Sequence, residues 1–163
     1  MKKLFLVLTF ILIFSLAGCR GQSYGILSYQ EKNIEAQCTL NGEYKILVTK
    51  TEKKSSVCFL EPSSLAHFSF TLSENGLTAK ADDMEIPLNG DSASGVSALL
   101  SMFSLSEECL VRASQENGGD VFEFSSDRGE YRLTMGEAGV PKRIEISNTD
   151  FSFDIVVDAV KLN

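Results

Sequence analysis

The side chains of this sequence whose type and spacing could do chemistry are its cysteines, its single histidine and its paired carboxylates. Cys19 has the most specific setting. It follows Leu16-Ala17-Gly18, behind a run from Leu4 to Leu16 broken only by Thr9 and Ser15, with Lys2 and Lys3 ahead of that run. A charged start, a short apolar middle and a small-residue exit make a secretion signal, whereas a stable transmembrane helix needs about 20 apolar residues. The other cysteines, Cys38, Cys58 and Cys109, form no CxxC and no Cys/His grouping that would point to zinc or thioredoxin-like chemistry. Three cannot all pair, and strand alternation puts Cys38 and Cys58 on opposite sheet faces, a poor geometry for a bridge. They read as small buried hydrophobes. His67 stands next to Phe68 and is expected on the solvated side of its strand, so no serine or cysteine nucleophile has the usual base. Asp82-Asp83 and Glu107-Glu108 could hold calcium or act as an acid and a base. Neighbours in a strand point to opposite faces, so both pairs read as solvated turns. No phosphate-binding glycine loop and no repeat is present. The sequence therefore predicts no enzyme, no catalytic or metal site and no cofactor.

Leu16-Ala17-Gly18-Cys19 resembles the lipobox of bacterial lipoproteins. The resemblance implies that the Cys19 thiol carries a diacylglycerol, that the chain is cut before it, and that Cys19 becomes the first mature residue. Two acyl chains hold a protein on a membrane where one binds only marginally. The expected location is thus the outer face of a bacterial membrane, with the membrane itself as a partner through the lipid. Three segments follow: a signal over residues 1–18, a lipidated tether over 19–32 and a domain over 33–163.

The signal removes two of the fifteen basic residues and no acid, leaving 13 basic against 22 acidic residues, a net charge of −9. No basic cluster exists to neutralise phosphates, so nucleic acid is excluded as a partner. The 145 residues left after the signal suffice for one domain with its own core, expected as a monomer.

From Asn33 onward the pattern has period two. Ile34, Ala36, Cys38 and Leu40 alternate with polar residues, Asn41-Gly42 marks a hairpin turn, and Tyr44, Ile46 and Val48 follow. Further strands carry Val57 and Phe59; Phe68, Phe70 and Leu72; Leu77 and Ala79; and Met84, Ile86 and Leu88. After an interruption come Cys109, Val111 and Ala113; Phe122 and Phe124; Tyr131, Leu133 and Met135; Ile144 and Ile146; and Phe151, Phe153, Ile155 and Val157. That makes about eleven short antiparallel strands with one solvated face. In the interruption, Val96, Leu99, Leu100 and Phe103 fall at i, i+3, i+4 and i+7, which predicts a helix over residues 93–105 with Asp91 or Ser92 as its cap. The stretch from 92 to 105 carries no charge, so the helix should be buried over much of its circumference.

Eleven strands about 4.8 Å apart would make a flat sheet about 50 Å wide, and one helix about 10 Å across cannot cover it. The sheet is therefore expected to curl over the helix, as a mainly β (α+β), curved, unclosed antiparallel barrel of about nine to eleven strands with the helix on its concave face. Six of the eight phenylalanines after the signal lie in Phe-x-Phe pairs: Phe68 with Phe70, Phe122 with Phe124, and Phe151 with Phe153. These pairs, with Leu99, Leu100 and Phe103 of the helix, are the candidate lining of a hydrophobic ligand site. The same residues would equally make a packed core.

From Tyr44 to Val160 the chain resembles the lipoprotein carrier and receptor family of the bacterial envelope, the Lol-type half-barrel proteins. The likeness rests on Val57-Cys58-Phe59-Leu60-Glu61-Pro62, on the Met84-to-Leu88 strand before an uncharged central helix, and on Tyr131-Arg132-Leu133 through Gly139-Val140-Pro141 into Ile144-Glu145-Ile146. It implies an unclosed antiparallel barrel with helices as a lid over a cavity that accepts acyl chains. Two family features have no counterpart in the sequence: a long N-terminal helix, for which residues 20–32 leave little room, and the arginine that holds the lid closed. Two functions follow as expectations. One is a membrane-anchored lipoprotein that binds or shuttles an acyl-chain or lipid ligand. The other is a non-catalytic module with a dry core that binds another envelope protein.

Overall fold

The computed structural model describes residues 25–137 and 139–163. The signal segment, Cys19 and the first residues of the tether lie outside the described residues. Eleven strands form one sheet: β1 (Ile34–Leu40), β2 (Tyr44–Lys50), β3 (Lys54–Glu61), β4 (Phe68–Ser73), β5 (Gly76–Ala81), β6 (Met84–Pro87), β7 (Leu110–Glu116), β8 (Gly119–Ser126), β9 (Gly129–Met135), β10 (Pro141–Ser147) and β11 (Ser152–Leu162). Their order is β6-β5-β4-β3-β2-β1-β11-β10-β9-β8-β7, antiparallel throughout, with β6 and β7 as unpaired edges. Two meanders, β1–β6 and β7–β11, are thus joined by a single seam between the first strand and the last. Tight turns drive the meanders. Asn41 and Gly42 (φ 51° and 72°), and Asn117 and Gly118 (φ 49° and 79°), take the left-handed conformation that short hairpins need.

Helix α1 runs Asp91–Ser101, two residues earlier at its start and four shorter at its end than the apolar stripe predicts. Its cap position falls on Gly90 (φ 78°) rather than on Asp91 or Ser92. The stripe outruns the helix because Met102, Phe103 and Leu105 stay buried while the chain turns out of it, with Ser104 N donating to the Ser101 carbonyl at 2.8 Å. The Tyr131 hydroxyl of β9 donates to the Ala98 carbonyl at 3.2 Å. A Cβ on Gly95 would stand 3.4 Å from Phe151 and 3.5 Å from Phe153. The helix also packs on β3 and β4. In a flat sheet β4 and β9 would lie about 29 Å apart, and eleven helical residues span only about 16 Å. The sheet therefore curls round the helix, which sits on its concave face.

Two local readings change. The expected alternation Cys109, Val111, Ala113 is broken by a bulge between Leu110 and Arg112 in the pairing with β8. Leu110 packs against the core opposite Phe124, and Val111 is turned out to 69 % exposure. Residues Gly25–Glu31, which fell within the tether by sequence, form a 3₁₀ turn with Leu27 and Tyr29 buried. The Tyr29 ring meets Phe103 edge-on at 6.3 Å, and Lys50 Nζ donates to the Gln30 carbonyl. A turn this short leaves no periodic signature. No helix among the described residues is long and apolar enough to cross a membrane.

Candidate apolar binding site

Directly opposed residues in a sheet share a face, so the ladders define rows of side chains across the concave surface. One row runs Leu40, Ile155, Ile144, Leu133, Phe122 and Ala113, from β1 to the β7 edge. It stays buried as far as Phe122. The other runs Ala36, Val48, Val57, Phe70, Ala79 and Ile86, from β1 to the β6 edge. Here burial is complete through Val57, partial at Phe70 and Ala79, and gone at Ile86, which is 53 % exposed. A parallel row, Phe68, Ala81 and Met84, ends on a methionine that is 66 % exposed.

The sequence dictates the relief of this open part. Ala79 and Ala81 form a low floor on β5. Phe68 and Phe70 stand on one side and Met84 and Ile86 on the other, two strand spacings or about 10 Å apart. The result is an apolar trough on the inner face of the β4–β6 wing. Aromatic contacts continue it inward: Phe70 meets Phe59 edge-on at 6.4 Å, and Phe59 meets Tyr44 edge-on at 6.0 Å.

Of the residues expected to line a ligand site, Leu99, Leu100, Phe103, Phe122 and Phe124 come together in the buried core. Phe70, Phe151 and Phe153 are partly buried against that core, the last two stacked at 5.3 Å beside Gly95. Phe68 is half-buried at the trough, its ring 4.3 Å from that of exposed His67. Tyr44, Phe59, Ala79, Ala81, Met84 and Ile86 are additions. Their signal lay in strand alternation, but which strands the helix leaves uncovered is a property of the tertiary fold.

Burial sets the electrostatics of the closed side. The hydroxyls of Tyr29 and Tyr131 are both pushed up to about 12, chiefly by removal from water. The Cys38 thiol, also buried, rises to about 12 for the same leading reason, with nearby Asp158 adding to the effect. Cys38 and Cys58 lie on opposite faces, and Cys38, Cys58 and Cys109 are free thiols. Arg128, in the β8–β9 turn, donates to Ser101 Oγ at the end of the helix. It is a cation holding the helix that no motif identified.

The outer face offers a groove of about 1050 Å³ over β7–β10, whose lining includes Glu116, Glu123, Arg132, Arg143 and Glu145. Most of these charges are paired with one another. Arg132 bridges Glu116, Glu123 and Glu145, and Arg143 holds Asp154 through two bonds of 2.8 and 3.1 Å. Among the described residues no group of three or more His, Cys, Asp or Glu could hold a metal ion.

Comparison with protein families and with curated proteins finds no match. Solved structures with a similar course of chain include three from bacteria. An uncharacterised conserved protein of Thermus thermophilus is 14 % identical, with 85 % of this chain and 83 % of that one covered and a TM-score of 0.48. A LolA-superfamily protein of Nitrosomonas europaea is 11 % identical, with 85 % and 92 % covered and a TM-score of 0.46. The lipoprotein LppX of Mycobacterium tuberculosis is 8 % identical, with 87 % and 100 % covered and a TM-score of 0.36. The fold assigned above rests on strand register and helix contacts, not on these likenesses.

Proposed function

We propose that this protein is an exported lipoprotein, anchored through Cys19, whose half-barrel binds or shuttles an acyl-chain or lipid ligand, as the Lol-type proteins it resembles would. The supporting observation is the trough. Met84 and Ile86 expose apolar side chains on the sheet face that carries the core, and a contiguous wet apolar surface marks a place for an occupant. The lipobox-like exit before Cys19 supports the anchor. Replacing Cys19 by Ser should release the protein from the membrane fraction or leave its precursor uncut. A variant that stays bound and correctly processed overturns the anchor.

Binding is tested with an uncharged fluorescent monoacylglycerol. The wild type should bind it, and Ala79→Trp, which raises the trough floor, should abolish binding without moving the melting temperature by more than about 2 °C. The second reading, an interaction module with a dry core, draws on the complete burial of Leu100 and Phe103. Native mass spectrometry of protein purified from membranes separates the two. Co-purified lipid supports the first reading, and its absence together with no probe binding supports the second.

A further inference from the structure

Resting on the trough as a ligand site, we infer that its occupant is a lipid-like amphiphile with a positively charged head group. From Phe59 to Gly90, the stretch that forms the trough, the chain carries Glu61, Glu74, Asp82, Asp83 and Glu85 against Lys80 alone. Register places Lys80 and Glu85 opposite one another on the other face of the sheet, away from Ala79, Ala81, Met84 and Ile86. Asp82 and Asp83 form the turn between β5 and β6, so they follow directly on the floor residue Ala81 and precede the wall residue Met84. Asp82 N donates to the His67 carbonyl at 3.3 Å, which ties this turn to the start of β4, where Phe68 makes the other wall. Glu61, at the end of β3, is not part of this mouth, since register sets it opposite Lys45 of β2.

A tail lying between the phenylalanine ridge and the Met84/Ile86 ridge therefore emerges beside two exposed carboxylates with no lysine or arginine among the residues of the trough. That mouth repels a carboxylate or phosphate head and attracts an ammonium. A peptide is the poorer occupant, because β6 offers an added strand only four residues and ends in Pro87.

The test uses the mature chain with Cys19→Ser and three fluorescent C11 chains that differ only in their ends: trimethylammonium, hydroxyl and carboxylate. At low ionic strength the ammonium probe should bind about tenfold more tightly than the carboxylate probe, with the hydroxyl between, and added salt should narrow the gap. Asp82→Asn combined with Asp83→Asn should draw the three affinities together while leaving that of the hydroxyl probe unchanged. If all three bind equally, or the carboxylate binds best, the head-group inference is wrong and the trough stands. If the hydroxyl probe fails to bind, or binds as well to Ala79→Trp, both the trough and the inference fall.

Discussion

The two wings of the sheet are made of the same kind of strand, yet one is closed and the other open. From β11 to β8 the inner row is Ile155, Ile144, Leu133 and Phe122, all buried in one cluster with Leu99, Leu100, Met102, Phe103 and Leu105. From β4 to β6 the corresponding row is Phe70, Ala79 and Ile86, and it emerges into solvent. Alternation alone does not distinguish them. What differs is the cover: one helix of eleven residues, packed on β3 and β4, leaves Met84 and Ile86 of the β6 edge in solvent, and its grip is fixed by Gly95, Ala98 and Ser101. An open apolar surface here is the consequence of a cover shorter than the sheet.

The sharpest way to break this comparison is to place the same charge on both sides. Phe124→Asp would bury an unpaired carboxylate at a cost of several kcal/mol, against a total stability of about 5–15 kcal/mol. It should unfold the protein, as read by far-ultraviolet circular dichroism. Ile86→Asp should keep a near-native melting temperature and lose acyl-probe binding. Unfolding by Ile86→Asp, or a native Phe124→Asp, would show that the wings do not differ as described.

A smaller effect comes from alkaline titration of the closed side. Tyr29 and Tyr131 have folded pKa values of about 12 against an unfolded value near 10. The folded state therefore holds the proton more tightly. The associated stability is fully present below pH 10 and is lost as pH rises from about 10 to 12, by at most about 2–3 kcal/mol per tyrosine. Urea denaturation across that range should show the loss, and Tyr29→Phe and Tyr131→Phe should each flatten it. A wild-type curve with no slope there would mean that the closed side admits water.

The smallest change tests the helix grip itself. Gly95→Ala gains about 0.5–1 kcal/mol of helix propensity, and its methyl would meet Phe151 at 3.4 Å, an ordinary contact. Stability should stay level or rise by less than about 1 kcal/mol. A loss above about 1 kcal/mol would mean that the helix has no room to move on Phe151 and Phe153.

Strand alternation makes the sheet legible: the Asn41-Gly42 turn and the Phe68/Phe70 and Phe122/Phe124 strands fall where their periods put them, while the helical stripe finds the helix but not its end. The bulge at Leu110–Arg112 was not legible, because one extra residue inverts the inward face without altering composition. Nor was the 3₁₀ turn carrying Leu27 and Tyr29, seven residues long and without a period. The candidate site was half legible. Phe68 and Phe70 were marked by their spacing, but Met84 and Ile86 look in sequence like any other inward pair, and only the reach of the helix leaves them wet.

The seam between β1 and β11 bears on how the chain folds. Every other strand pair joins neighbours in sequence, while this one brings Ile34 to Leu162 and Leu40 to Ile155. Closing loops of more than a hundred residues carries an entropic cost that grows only logarithmically with length, but no local contact can repay it early. The meanders can zip independently, whereas their union waits for the last strand. Until then β1 and β11 are themselves bare edges. Refolding should therefore be slow for a domain of this size, with the seam as the late step and the period before it as the window in which the chain aggregates.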